Sequence, residues 1–225
     1  VTGGGKSNLI NMIIQSTFCF DNNVVMILVD FKYNIEMYKY SQFKNCVNVS
    51  NQNEFRNIVN ILFEEMAYRA ELFKKHKVSD INGYNKRVKD KMHYIVMVID
   101  EIGDLKLDKE KNKDDNTTLT EKLKKILSIA RALGVSVVMA TQTPSSEILS
   151  TDIRRLTPFK ISTNVGKEIE TQKMTGVKGT DDLKTAEFMT NNKKYNKVYK
   201  SLLIQEESDE EEGLPECNDI YNRLE

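Results

Sequence analysis

Gly3, Gly4, Gly5, Lys6 and Ser7 stand together at the start of the chain. Glycines let backbone N–H groups approach phosphate oxygens, because no Cβ stands in the way, and a helix beginning behind them adds its own unpaired first-turn donors. A lysine there brings positive charge to the β and γ phosphates of ATP, and a serine hydroxyl can bind Mg2+. The opening VTGGGKS fits every position of G-x-x-x-x-G-K-[ST] except the first glycine, which falls one position upstream of Val1. Thr2, Gly3, Gly4, Gly5, Lys6 and Ser7 are therefore candidate nucleotide-binding residues. The plain alternative is a flexible glycine-rich terminus.

A second group of residues decides between these readings. YIVMVIDE, residues 94–101, is an apolar run that ends in Asp100 and Glu101. Carboxylates leaving a hydrophobic strand suit two tasks: Asp100 holds Mg2+ through its hydration shell, and Glu101 orients and polarises a water for attack on the γ phosphorus. Taken by itself the run is equally an unrelated apolar strand that ends in two acids; it is the pairing with GGGKS that favours the nucleotide reading. Gln142, in MATQTP, closes the next apolar run and suits contact with the γ phosphate or that water; an ordinary polar strand cap is the alternative. Asp30 and Lys32, in LVDFK, either shape the site or terminate a strand. Charge stabilisation at the breaking bond leaves room for a further cation, for which Arg131, Arg154 and Arg155 are candidates from a neighbouring subunit. Each also serves as a plain surface charge.

These groups need elements to hold them. LINMIIQSTFCF reads as a buried helix beginning inside the glycine loop, and VVMILVD as an interior strand of a parallel sheet. CVNV is a shorter strand. Ile58, Ile61, Leu62, Glu65, Met66, Arg69 and Leu72 recur at helical spacing within a long helix from Glu54 to about Lys75. VSVVMATQ is a third strong strand, preceded by a helix, EKLKKILSIARAL, that Gly134 terminates. FKISTNV supplies another strand, and AEFMTN pairs antiparallel with YKSLLIQ across a polar turn. Strands separated by helices, with polar groups at their carboxyl ends, predict an open α/β sheet with its site along that edge. At EESDEEEG the composition shifts, so we divide the chain into a domain over 1–205 and an acidic tail or linker over 206–225.

Composition narrows the classes. A chain of 225 residues suits one domain with a sizeable core. The formal net charge of +0 neither indicates nucleic acid nor opposes it, since a basic channel can be balanced elsewhere. The scattered Cys19, Cys46 and Cys217 lack metal-ligand spacing and read as buried or incidental thiols. His76 and His93 lack a ligand cluster, so a transition-metal centre is not expected. No apolar run approaches membrane-spanning length. Tyr84, in INGYNKRVKDK, sits in a basic context that alone does not make a DNA-stacking patch.

In order along the chain, TGGGKS, LVDFK, AYRAELF with INGYNKRV, YIVMVIDEIGDL, IARALGVSVVMATQTPS and KISTNVGKEIETQKMTGVKGTDDL resemble the motor domain of FtsK/SpoIIIE-type DNA translocases. The resemblance covers nearly all of 1–205. It implies a RecA-like P-loop core, α/β, with a mostly parallel central sheet and helices on both faces. It also implies a homo-hexameric ring coupling ATP hydrolysis, with Mg2+, to movement along double-stranded DNA. Lys6, Ser7, Asp100, Glu101 and Gln142 align with the family's nucleotide residues, and Arg131 falls in ARALG where the family has a similar segment. LVDFK departs from the usual aspartate-proline-lysine stretch, and a glycine-rich segment after TDDL is replaced by KTAEFMTNNKKYNK. These departures favour a plasmid or mobile-element translocase similar to the TcpA-like conjugation proteins, with DNA-transfer or relaxosome proteins as partners. The resemblance implies a motor on the cytoplasmic face of the membrane, anchored by a part outside this segment. The alternatives are a protein-export ATPase of the type VII secretion kind and a nucleotide-binding assembly module with little turnover.

Overall fold

The computed structural model describes residues 5–20, 23–32, 37–105, 117–143, 149–164, 168–195 and 197–201. In chain order its elements are α1 (Lys6–Phe20), β1 (Val24–Val29), β2 (Cys46–Val49), α2 (Gln52–His76), α3 (Ile81–Asn85), β3 (Tyr94–Ile99), α4 (Leu119–Ile129), β4 (Val135–Met139), α5 (Thr151–Leu156), β5 (Ile161–Ser162), α6 (Glu168–Thr175), β6 (Glu187–Thr190) and β7 (Tyr199–Lys200). They fall into two compact units, residues 25–160, and residues 1–24 with 161–225.

The larger unit is built on a four-stranded sheet in the order β2-β1-β3-β4. β1 pairs parallel with β2, Met26 opposite Cys46 and Val29 opposite Val49. β3 pairs parallel with β4, Ile95 opposite Val135 and Ile99 opposite Met139. Continuous apolar sequence is what such strands need when both faces are covered, and Met97, Val98 and Ile99 are fully buried. The result is a largely parallel sheet flanked by helices, as a RecA-like P-loop core requires.

Helix α2 starts where Asn51 caps it, its side-chain oxygen accepting from Asn53 N at 3.1 Å and Glu54 N at 3.0 Å. Its buried stripe is Phe55, Val59, Leu62, Met66, Arg69 and Phe73, spaced alternately four and three residues apart. Ile61, which the spacing argument counted with this face, is 59% exposed, because one residue before Leu62 lies about 100° around the helix.

Helix α4 opens with a capping box between Thr118 and Glu121. The chain beyond it closes in a Schellman motif: Gly134 N donates to Arg131 O at 3.2 Å and Val135 N to Ala130 O at 2.9 Å. Gly134 adopts the left-handed conformation, φ 77°, that the motif demands. A Cβ there would also lie 2.2 Å from Ile81 Cδ1, so any other residue must both hold the strained backbone and displace that side chain. The helix end expected at this glycine is thus present, with regular α geometry stopping at Ile129 and a tightened last turn behind it.

The other unit holds α1 and a three-stranded sheet in the order β5-β6-β7. Both pairings are antiparallel, with Ser162 opposite Met189 and Phe188 opposite Tyr199; the second is the pair expected across the polar turn, and the first adds the strand read in FKISTNV to it. Helix α1 buries Leu9, Ile10, Ile14 and Phe18, one stripe of the helix read from the sequence. The acidic segment 206–225 lies outside the described residues.

Candidate functional site

At the carboxyl end of the central sheet three strand ends are stitched together. Asp100, 2% exposed, follows β3 and donates its N–H to Val29 O at 3.0 Å. Ala140 N donates to Ile99 O and Ile102 N to Ala140 O, both at 2.9 Å, which locks the exit of β3 against that of β4. Between these bonds stands Glu101. Its Oε2 accepts from Gln142 N at 2.7 Å and its Oε1 from Gly103 N at 3.2 Å. A carboxylate oxygen has two lone pairs, so both retain capacity for a further donor such as water. Glu101 is therefore oriented by main-chain amides from the ends of two strands.

Gln142 meets Glu101 through its backbone, which is a different contact from the side-chain role read from the sequence; the residue itself is exposed. Asp30, at the end of β1, is also 2% exposed. Its Oδ1 accepts from Lys32 N at 2.8 Å, a strand-terminating turn. Its Oδ2 is buried without a hydrogen-bond partner, and Lys32 is exposed.

Gly5, Lys6 and Ser7 belong to the other unit, where Lys6 is the first residue of α1. Gly5 has φ 90°, and a Cβ on it would come within 2.9 Å of both Ala186 Cα and N. Glycine is required there by the backbone of the segment entering β6, independently of any phosphate. The same junction is tied by Asn8 Nδ2 donating to Ser201 Oγ at 2.8 Å and Ser201 N donating to Ala186 O at 2.8 Å. Thr2, Gly3 and Gly4 lie outside the described residues.

The three candidate arginines differ in setting. Arg131 is exposed in the turn that closes α4. Arg154 is half-buried on α5 and donates from Nη2 to Thr151 Oγ1 at 3.0 Å. Arg155 is exposed, 3.6 Å from Asp152.

Other polar groups turn out to be structural. Arg69 is fully buried, donating to Glu65 Oε1 at 2.7 Å and to Leu133 O at 2.9 Å, so α2 grips the turn that carries Arg131. Its helical spacing was visible in the sequence; its burial was not. The INGYN segment is equally committed. Asn85 clasps the backbone of Met92, donating to its O at 2.8 Å and accepting from its N at 2.9 Å. The Tyr84 ring packs against Phe73 and His76, with centroids 5.5 and 5.0 Å away. Burial, then the Arg69 charge, holds His93 below the ordinary imidazole range, against an opposing pull from Glu65. Burial pushes the Cys46 thiol up to about 12, whereas Cys19 is exposed. Among the described residues no group of three or more histidine, cysteine or carboxylate side chains forms a metal cluster, and no helix is long and apolar enough to cross a membrane.

Residues 1–146 match the profile of the FtsK/SpoIIIE family. The DNA translocase FtsK of Caldanaerobacter subterraneus is 31% identical over 187 residues, covering 81% of this chain and 25% of that protein. The DNA translocase SftA of Bacillus subtilis is 27% identical over 191 residues, covering 81% of this chain and 19% of that protein. The chain thus spans about a quarter or less of the length of the curated relatives it matches. Among solved structures, the pCW3 conjugation coupling protein TcpA with ATPγS superposes on 100% of this chain and 63% of its own, with a TM-score of 0.79 at 19% identity. EssC of Geobacillus thermodenitrificans superposes on 100% of this chain and 42% of its own, with a TM-score of 0.72 at 16% identity. At these identities the two likenesses establish the fold.

Proposed function

The chain belongs to the FtsK/SpoIIIE family, and on that premise we propose that it is the ATP-hydrolysing motor of a protein that moves double-stranded DNA. The observation that carries the reading is the family match together with 31% identity to a DNA translocase over most of the chain. The strand-end geometry supports it. Glu101, held by two main-chain amides, is preorganised to orient a water and accept its proton, and no rotamer search is needed when substrate arrives. In this reading Lys6 would supply positive charge to the β and γ phosphates, Thr2, Gly3, Gly4 and Gly5 would offer their amides, and Gln142 would contact the γ phosphate or the attacking water.

The buried carboxylates closing the sheet and the Ser7 hydroxyl are oxygen donors of the kind Mg2+ takes, and the unpartnered Asp30 Oδ2 marks a place where positive charge is wanted. Ser7 and Asp100 would hold the ion, Asp100 through water. When bound, Mg2+ neutralises charge on the β and γ phosphates. We further propose that the intact protein works as a homo-hexamer, into whose nucleotide sites a neighbour inserts Arg131, Arg154 or Arg155. Its membrane anchor would lie outside this segment, with the motor on the cytoplasmic side, and DNA-transfer proteins are its expected partners.

The test is phosphate release with and without double-stranded DNA. Stimulation by DNA, abolished in Lys6→Ala and Glu101→Gln, is expected. Release indifferent to DNA overturns the DNA-motor reading, and capture of an exported partner's peptide without DNA binding replaces it with protein export. Nucleotide-driven assembly with no phosphate released in either condition replaces it with an assembly module.

A further inference from the structure

We propose that Asp30 is a second carboxylate of the cation seat, acting beside Asp100 on the divalent cation that accompanies the nucleotide. The proposal rests on the nucleotide reading for the identity of that cation and goes beyond it in assigning Asp30.

The backbone places the two side chains together. Val29 ends β1 and Asp100 directly follows β3, so the bond from Asp100 N to Val29 O joins the carboxyl ends of neighbouring parallel strands. In a parallel ladder that bond sets Asp100 opposite Asp30. The same rule holds one strand over, where Met26 N donates to Asn45 O and Met26 stands opposite Cys46. Residues opposite one another in a parallel pair send their side chains to the same face, with strands about 4.8 Å apart.

Two carboxylates therefore leave one face side by side, each 2% exposed. Terminating β1 uses only one oxygen of Asp30, the Oδ1 that accepts from Lys32 N at 2.8 Å. The other, Oδ2, is buried with no hydrogen-bond partner. A buried carboxylate oxygen left without a partner is unfavourable through desolvation unless a donor or cation is supplied. Mg2+ is commonly held by one or two carboxylates together with substrate phosphates and several waters, so Asp30 fits either as a direct ligand or as acceptor from a bound water. Histidine or cysteine donors, which would suit a softer metal, are not part of this pair.

The test is titration of the whole chain with a fluorescent ATP analogue in Mg2+ and in EDTA, with Mn2+ binding followed separately by electron paramagnetic resonance. Asp30→Asn retains an acceptor for Lys32 N and so preserves the strand end. It is expected to weaken nucleotide binding in Mg2+ about tenfold and to weaken Mn2+ binding similarly, while binding in EDTA, where no cation bridges carboxylate and phosphate, is not weakened. Wild-type behaviour of Asp30→Asn in both media overturns the proposal and leaves Asp30 a strand terminator. Should Asp30→Asn unfold, Asp30→Glu keeps the charge but displaces it by one methylene, and a wild-type Mg2+ dependence in that variant overturns the proposal equally. If the wild-type chain binds Mn2+ in an Asp30-dependent way but no nucleotide, the cation seat stands and the nucleotide reading falls. If it binds neither, both fall.

Discussion

Glu101 Oε2 accepts the main-chain N–H of Gln142 at 2.7 Å, across 41 residues of sequence. A side chain leaving one strand end thereby fixes where the next strand's exit begins, while Gly103 N holds its other oxygen at 3.2 Å. Glu101→Gln keeps the shape and one acceptor oxygen but cannot take a proton. We expect turnover to fall by at least about a hundredfold, with nucleotide affinity changed only a few-fold, by phosphate release and nucleotide titration. Glu101→Ala should also loosen the strand-end connection and lower stability by about 1 kcal/mol more than Glu101→Gln does.

Gly134 is predicted to be among the least replaceable residues for folding. An alanine must adopt the left-handed conformation at φ 77° and displace Ile81 Cδ1 from 2.2 Å. The two penalties together should cost about 2–4 kcal/mol in denaturant melts of Gly134→Ala.

Asn85→Ala removes both bonds of the Met92 clasp. A loss of about 1–3 kcal/mol is expected, with phosphate release per folded molecule unchanged well below the melting temperature. A selective loss of DNA stimulation in this variant would instead give the INGYN segment a part in the DNA response.

His93 gives the chain a pH-dependent stability. Its folded value lies below the ordinary 6.5, through burial first and Arg69 second, so the unfolded chain binds the proton more readily. Its stabilising share is full above about pH 6.5 and declines as pH falls toward the lowered folded value. Glu54, held below its ordinary 4.5 chiefly by the Ser50 N–H, gives up its share only at lower pH. The melting temperature should therefore drop between pH 7.5 and 5.5, and His93→Gln should flatten that part of the curve.

Much of this was legible in the sequence because it is local. Apolar runs ending in carboxylates gave β1 and β3, Gly134 marked the close of α4, and the polar turn between β6 and β7 marked their pairing. What escaped depends on contacts between distant stretches. The pairing of Asp30 with Asp100 comes from strand order and register, which no window of residues contains. Ile61 and Leu62 are adjacent and both apolar, and only the neighbours of α2 decide that one is 59% and the other 2% exposed. Arg69 shows only its helical spacing until Leu133 O and Glu65 are brought to it and account for its full burial. Asn85 has no role in the sequence until Met92 is set across from it.

The contact of Gly5 with the Ala186 backbone bears on how saturation mutagenesis of this protein would be interpreted. Selected for the protein's activity alone, Gly5 and Lys6 should look equally intolerant. Scored for cellular abundance, they should separate: substitutions at Gly5, which meet the Ala186 backbone, deplete the protein more than Lys6→Ala does, whereas Lys6→Ala is silent in phosphate release. The adjoining residues of one short motif would then report on two different selections, the first on making the protein and the second on running it.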